Sequence, residues 1–209
     1  MSELTITEQQ QIRTRRITAT AILAAMAEVL MLLEVPLPFM PPFLKFDFSE
    51  IPVLVGSFAL GPVYGVIIEL LKNLIHLPFT ATSGIGEMSN FLTGSIYVFA
   101  AGMIYLKHRT RKGAVVSMMI ATLCLALIAV PLNYFVTLPL YGSVLGFPTE
   151  AIVGMSAAVN PLITDKWSLI FWAFVPFNLF KGIVVAFITF WIYKPISKLI
   201  NKTYEQTRK

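Results

Sequence analysis

The sequence predicts an all-α integral membrane protein, a six-helix transmembrane bundle with long external loops at its first, third and fifth connections. Three observations predict it. Apolar types make up 56% of the 209 residues, 13% are charged and the mean hydropathy is +0.76, whereas soluble domains carry about 25% charged residues. Apolar runs recur at residues 17–34, 51–71, 88–106, 114–138 and 167–193. Twelve of the sixteen Lys and Arg residues fall into three clusters beside these runs.

The first cluster, Arg13, Arg15 and Arg16, closes a polar N-terminus ahead of the first run. No cleavage site of small residues follows in good form, so the run reads as a retained helix and not as a signal peptide. Lys107, Arg109, Arg111 and Lys112 form the second cluster, and Lys194, Lys198, Lys202, Arg208 and Lys209 the third. Short loops rich in Lys and Arg stay in the cytoplasm, so all three clusters and both termini belong on that side of the cell membrane. A span needs about 20 residues. If 51–71 is one span, three crossings separate the first two clusters and the second lies outside. Gly61-Pro62 offers the alternative, because this pair signals a turn and Pro suits the first turn of a new helix. Breaking the run there predicts helices over 49–60 and 62–77, both shorter than a usual span. The rival keeps one long span, makes 150–163 a span instead, and puts the second cluster outside.

The external connections are then 35–48, with Pro36, Pro38, Pro41 and Pro42; 78–86, PFTATSGIG; and 139–166, with Gly142, Gly146, Pro148 and Pro161. Long irregular loops on one side of a bundle commonly act as lids or binding loops. The whole chain, 1–209, reads as one transmembrane domain with polar cytoplasmic ends, 1–15 and 196–209, expected to be mobile.

Charged and polar residues inside spans mark where function lies, since a central Lys costs about 2.5–3.5 kcal/mol to insert. Lys181 is such a residue, in PFNLFKG (176–182), and Asn178 projects from the same helical face. The pair is either an interhelical polar clamp or the wall of a pocket for a polar ligand. Asn133, after Pro131 in VPLNYF, is either a helix–helix hydrogen bond or part of the same site. Glu69 and Lys72, three apart, are placed to neutralise each other. In FLKFDFSEIP (43–52), Asp47 or Ser49 is positioned to cap the next helix, and the aromatics are equally placed to cover a ligand. Ala21 and Ala25 form a small-xxx-small pair that lets another helix approach closely. His76 and His108 lack metal-ligand spacing and carry no assigned chemistry, and one cysteine, Cys124, excludes an internal disulfide. No basic stripe interleaved with aromatics speaks for nucleic acid. No HExxH, GxSxG or GxxxxGK[ST] is present, so the chain does not read as an enzyme and does not hydrolyse ATP by itself.

The combination KFDFSEIPVLVGSFALGPVYG (45–65), GEMSNFL (86–92), LNYFVTLPLYG (132–142) and PFNLFKG (176–182) resembles the riboflavin-specific S component of energy-coupling factor (ECF) transporters, from about residue 13 to residue 200. The FALGP motif is shared across S components of several vitamins, while LNYF with PFNLFKG points to riboflavin. The resemblance implies six helices and one vitamin held near the external face under loop lids. It also implies a transmembrane T component and two ABC-type ATPases as partners, which alone use ATP, and no intrinsic cofactor. Carried over by motif, ligand contacts come from Leu44, Lys45, Asp47, Ala81, Asn133, Asn178 and Lys181, and Ala21 and Ala25 face the T component. Riboflavin chemistry agrees: a flat ring stacks on Phe or Tyr, and a ring edge of carbonyls and an N–H suits Asn amides and a Lys. Competing readings are an S component for another vitamin, a carrier acting alone, an intramembrane enzyme using Asp47 and Glu50, and a non-catalytic membrane assembly protein.

Overall fold

The computed structural model describes the backbone of residues 6–205 and the side chains of residues 6–196. Helix α1 runs Ile6–Met31, so the polar segment expected to be mobile is helical from residue 6. Its Glu, Gln and Arg residues are good helix formers, and no Gly or Pro interrupts them. The chain then turns through a short antiparallel hairpin, β1 (Val35–Pro36) with β2 (Lys45–Phe46), inside what the sequence suggested was wholly irregular.

Helix α2 spans Glu50–Leu60 and α3 spans Pro62–His76. Between them Gly61 has φ +115°, a backbone conformation open to glycine and costly for other residues, and Pro62 occupies the first turn of α3. The break read from Gly61-Pro62 is therefore a helix break. From Glu50 to Phe58 every residue of α2 is buried, so this helix is surrounded by protein.

Helix α4 (Ile85–Lys107) follows a loop containing a 3₁₀ turn at Leu77–Phe79, and α5 (Arg111–Leu132) starts at Thr110, whose hydroxyl accepts from the Gly113 N–H at 3.0 Å. Helix α5 does not end at residue 138. It passes through a π turn, Asn133–Thr137, into α6 (Leu138–Leu145), making one rod of 35 residues. The third long connection thus begins at Gly146 and itself contains α7 (Thr149–Ala157). Nine residues rise about 14 Å, less than half of a bilayer core, so α7 is shorter than the span that the rival topology places at 150–163. Asp165 and Ser168 cap α8 (Lys166–Leu169) reciprocally, and a second π turn, Ile170–Phe174, leads into α9 (Val175–Glu205).

Among the described residues, Ile85–Lys107, Arg111–Leu145 and Lys166–Ile196 are long and apolar enough to cross a membrane. Helix α4 packs between α3 and α5, and α9 lies against α5 and α2. The termini of α4 and α5 that carry the middle basic cluster lie at the end opposite the loops that precede α2, α4 and α8.

Candidate functional site

At the loop end of the bundle a cavity of about 400 Å³ opens between the first connection, α4, the α5–α6 rod and α9. That volume lies within the usual range for small-molecule sites. Leu44, Lys45, Asp47, Ala81, Asn133, Asn178 and Lys181 all line it. Residues separated by up to 137 positions are thereby gathered on one surface. Ala21 and Ala25 lie elsewhere, exposed on the outer face of α1, whose Ala24 and Ala27 face inward.

The deep polar wall is built from helix irregularities. Asn133 opens the first π turn, and its Nδ2 donates to the Ala129 carbonyl at 2.7 Å. Asn178 follows the second π turn by one helical turn, and its Nδ2 donates to the Phe174 carbonyl at 2.8 Å. Each amide spends one N–H on its own helix and keeps a second N–H and a carbonyl oxygen for other partners. Lys181 Nζ donates to Asp47 Oδ2 at 2.9 Å, tying α9 to the first connection. Burial alone would raise the Asp47 carboxyl; the ammonium groups of Lys181 and Lys72, with the Ser49 N–H donating to Oδ1 at 2.8 Å, overcome this and hold it down to about 2. The turn into α2 is thus held by Asp47, while the Ser49 side chain makes no capping bond and its hydroxyl accepts from Lys72 instead. Lys45 pairs with Glu34 at the exposed rim.

Apolar faces complete the cavity: Phe43 and Phe174 lie 5.9 Å apart at a tilt, and Phe177, Tyr97 and Tyr141 join them. Beneath the wall, Lys72 lies 2.8 Å from Glu69 Oε1, as their spacing suggested, and also 2.9 Å from Glu50 Oε1. Gly94 of α4 makes room for this cluster, since a Cβ there would sit 2.5 Å from Glu69 Oε1.

Two groups escaped the sequence reading. His76, taken as isolated, lines the cavity and has Nδ1 3.0 Å from Glu28 Oε1 of α1, a partner 48 residues away that no local pattern reveals. Glu87, Ser89, Asn90, Thr93 and Tyr97 of α4 also line the cavity. Their signal was present as polar residues at helical spacing through the start of an otherwise apolar run.

Residues 15–193 match the family model described as ECF transporter, substrate-specific component. The chain is 34% identical over 188 residues to "Riboflavin transporter RibU" of Staphylococcus aureus (strain TCH60), covering 90% of this chain and 93% of the relative. It is 28% identical over 177 residues to "Riboflavin transporter FmnP" of Bacillus subtilis (strain 168), covering 83% and 87%. A solved structure described as "Structure and mechanism of the S component of a bacterial ECF transporter" superposes with a TM-score of 0.70 at 32% identity, over 90% of this chain and 98% of that one.

Proposed function

This chain belongs to the substrate-specific components of ECF transporters, and on that premise we propose that it is the riboflavin-binding membrane subunit of such a transporter. It is a transport subunit and not an enzyme. The observation that carries the reading is the convergence of Asn133, Asn178 and the Lys181–Asp47 pair on one aromatic-lined cavity.

In this reading the isoalloxazine ring lies between the aromatic and aliphatic faces, and the free donors and acceptors of Asn133, Asn178 and Lys181 meet its polar edge. Leu44, Lys45 and Asp47 from the first connection and Ala81 from the α3–α4 loop cover it. A site built to pair buried polar groups discriminates strongly against ligands that leave them unpaired.

Six crossings, α1, α2, α3, α4, α5–α6 and α8–α9, put all three basic clusters in the cytoplasm and the cavity on the external side. Helices α2 and α3 are short for this task, which local thinning of the bilayer accommodates. Transport then requires a T component and two ABC-type ATPases, with Ala21 and Ala25 forming the close-packed contact to the T component. The test is direct. Protein purified from riboflavin-fed cells should be yellow and release a flavin on denaturation; colourless protein that quenches no flavin fluorescence on titration would reject the assignment.

A further inference from the structure

The cavity lining holds four carboxylates, Glu34, Asp47, Glu50 and Glu87, against two lysines, Lys45 and Lys181, and His76. Each basic group already has an acidic partner: Lys181 has Asp47, Lys45 has Glu34 and His76 has Glu28. Glu87 differs. It is 6% exposed, and among the described residues no Lys, Arg or His pairs with it. Its Oε2 accepts from the Thr80 hydroxyl at 2.8 Å and from the Thr82 hydroxyl at 3.2 Å, an arrangement suited to the carboxylate.

Glu87 also has a defined place along the cavity. It lies in the first turn of α4, at the loop end. Two residues on, the Ser89 hydroxyl meets that of Thr137 at 3.1 Å, and Thr137 is one turn beyond Asn133 towards the same end. With the ring edge at Asn133, Asn178 and Lys181, a sugar-alcohol chain turned to the loop end of the cavity has Glu87 in its part of the lining. The end of that chain is a neutral hydroxyl in riboflavin and a phosphate in its 5′-phosphate ester.

We propose that Glu87 is a specificity-determining residue, selecting the unphosphorylated flavin against its phosphate ester; the inference rests on the riboflavin reading above. A hydroxyl donates to the Glu87 carboxylate in a charge-assisted hydrogen bond. A phosphate has mostly acceptors and negative charge to offer, so the same carboxylate repels it. Compensation by a lysine would come at the expense of an existing pair, Lys181 with the buried Asp47 or Lys45 with Glu34 at the rim. One side chain thus supplies both the attractive and the repulsive element that specificity needs.

The test uses purified full-length protein freed of flavin and titrated separately with riboflavin, riboflavin 5′-phosphate and 5′-deoxyriboflavin, which lacks only the terminal hydroxyl. The native protein should prefer riboflavin over its phosphate by about a hundredfold, the scale of a like-charge contact. The phosphate should also bind more weakly than 5′-deoxyriboflavin, because repulsion is worse than a missing hydrogen bond. Glu87→Gln keeps an oxygen for Thr80 and Thr82 but removes the charge, and should narrow the ratio about tenfold. Thr82→Val loosens the loop and keeps the charge, so it should weaken both flavins and leave their ratio. The inference is overturned by equal native affinities, by a phosphate that outbinds 5′-deoxyriboflavin, by an unmoved ratio in Glu87→Gln, or by Thr82→Val narrowing it equally. The 5′-deoxyriboflavin comparison needs no variant and stands if Glu87→Gln fails to fold. Failure of native protein to bind any of the three overturns the riboflavin reading and this inference with it.

Discussion

The two ends of the bundle are packed by different chemistry. Away from the cavity, one core joins Ala24 and Ala27 of α1, Val53 to Val55 of α2, Val98 and Ala101 of α4, Ala114 and Ala121 of α5, and Val185 of α9. Small residues bring backbones together there: Ser57 donates to the Val98 carbonyl at 2.8 Å, and a Cβ on Gly65 would lie 2.7 Å from that of Ser57. The cavity end has a second core, made of Met40, Leu44 and Phe46 from the first connection with Leu138, Ile170, Phe174 and Phe177. Its helices carry both π turns, and loops form part of its walls. Regular, tightly approached helices make a platform at one end, with the rings of Phe58, Tyr105 and Tyr193 packed among them; loops and loosened helices make a cavity at the other. Between lipid-embedded helices hydrophobicity drives little association, so close packing does most of the work. Concentrating that packing at one end leaves the other end free to enclose a ligand.

The largest expected effect lies where the two ends meet. Lys72→Met removes the cation between Glu50 and Glu69, leaving two buried carboxylates without it, and should cost about 3–5 kcal/mol of stability. Thermal unfolding in detergent would show it as a large fall in melting temperature with and without flavin. An unchanged melting temperature would mean that the platform does not depend on this cluster.

Asn178→Ala should act on the cavity alone, weakening riboflavin by about 1–3 kcal/mol because a ligand polar group loses its partner, with little change in the melting of ligand-free protein. Lys181→Met keeps the bulk and removes the ammonium. Its flavin titration separates two roles: native affinity in a folded variant would make Lys181 a clamp between α9 and the first connection, and the division into platform and cavity would blur.

The smallest effect on the isolated subunit should come from Ala21→Trp or Ala25→Trp. Both positions are exposed on α1 and outside the cavity, so expression and flavin titrations should match the native protein. Co-purification with the T component and ATP-driven uptake should be lost. Loss of flavin binding instead would mean that this face of α1 packs within the subunit.

Much of this division was legible in the sequence. A Gly-Pro pair marked the α2–α3 break because glycine tolerates a positive φ and proline starts helices. Lys181, Asn178 and Asn133 stood out because polar groups in apolar runs need a reason to be there. Other features depended on contacts that no local pattern encodes. The Glu28–His76 pair and the third member of the Lys72 cluster, Glu50, come from helix packing across 48 and 22 residues. The continuation of the α5–α6 rod beyond residue 138 to Leu145 was missed for a different reason. Pro139 and Gly142 read as the start of a loop, whereas Pro139 falls in the first turn of α6, where a proline is accommodated.

The π turn within that rod has a consequence for how such a site can change over generations. A turn closed by i→i+5 bonds holds one residue more than its α counterpart, so it acts as an insertion tolerated inside a membrane span. The extra residue shifts the phase of everything that follows by about 100°, one residue's rotation in a helix of 3.6 per turn. Through the turn at Asn133–Thr137, that shift decides which face Leu138 and Tyr141 present. Deleting a single residue there would restore an ideal helix and swing those side chains to another face. Length variation within a span, as well as substitution, is thus a route by which a common scaffold can be given a different cavity.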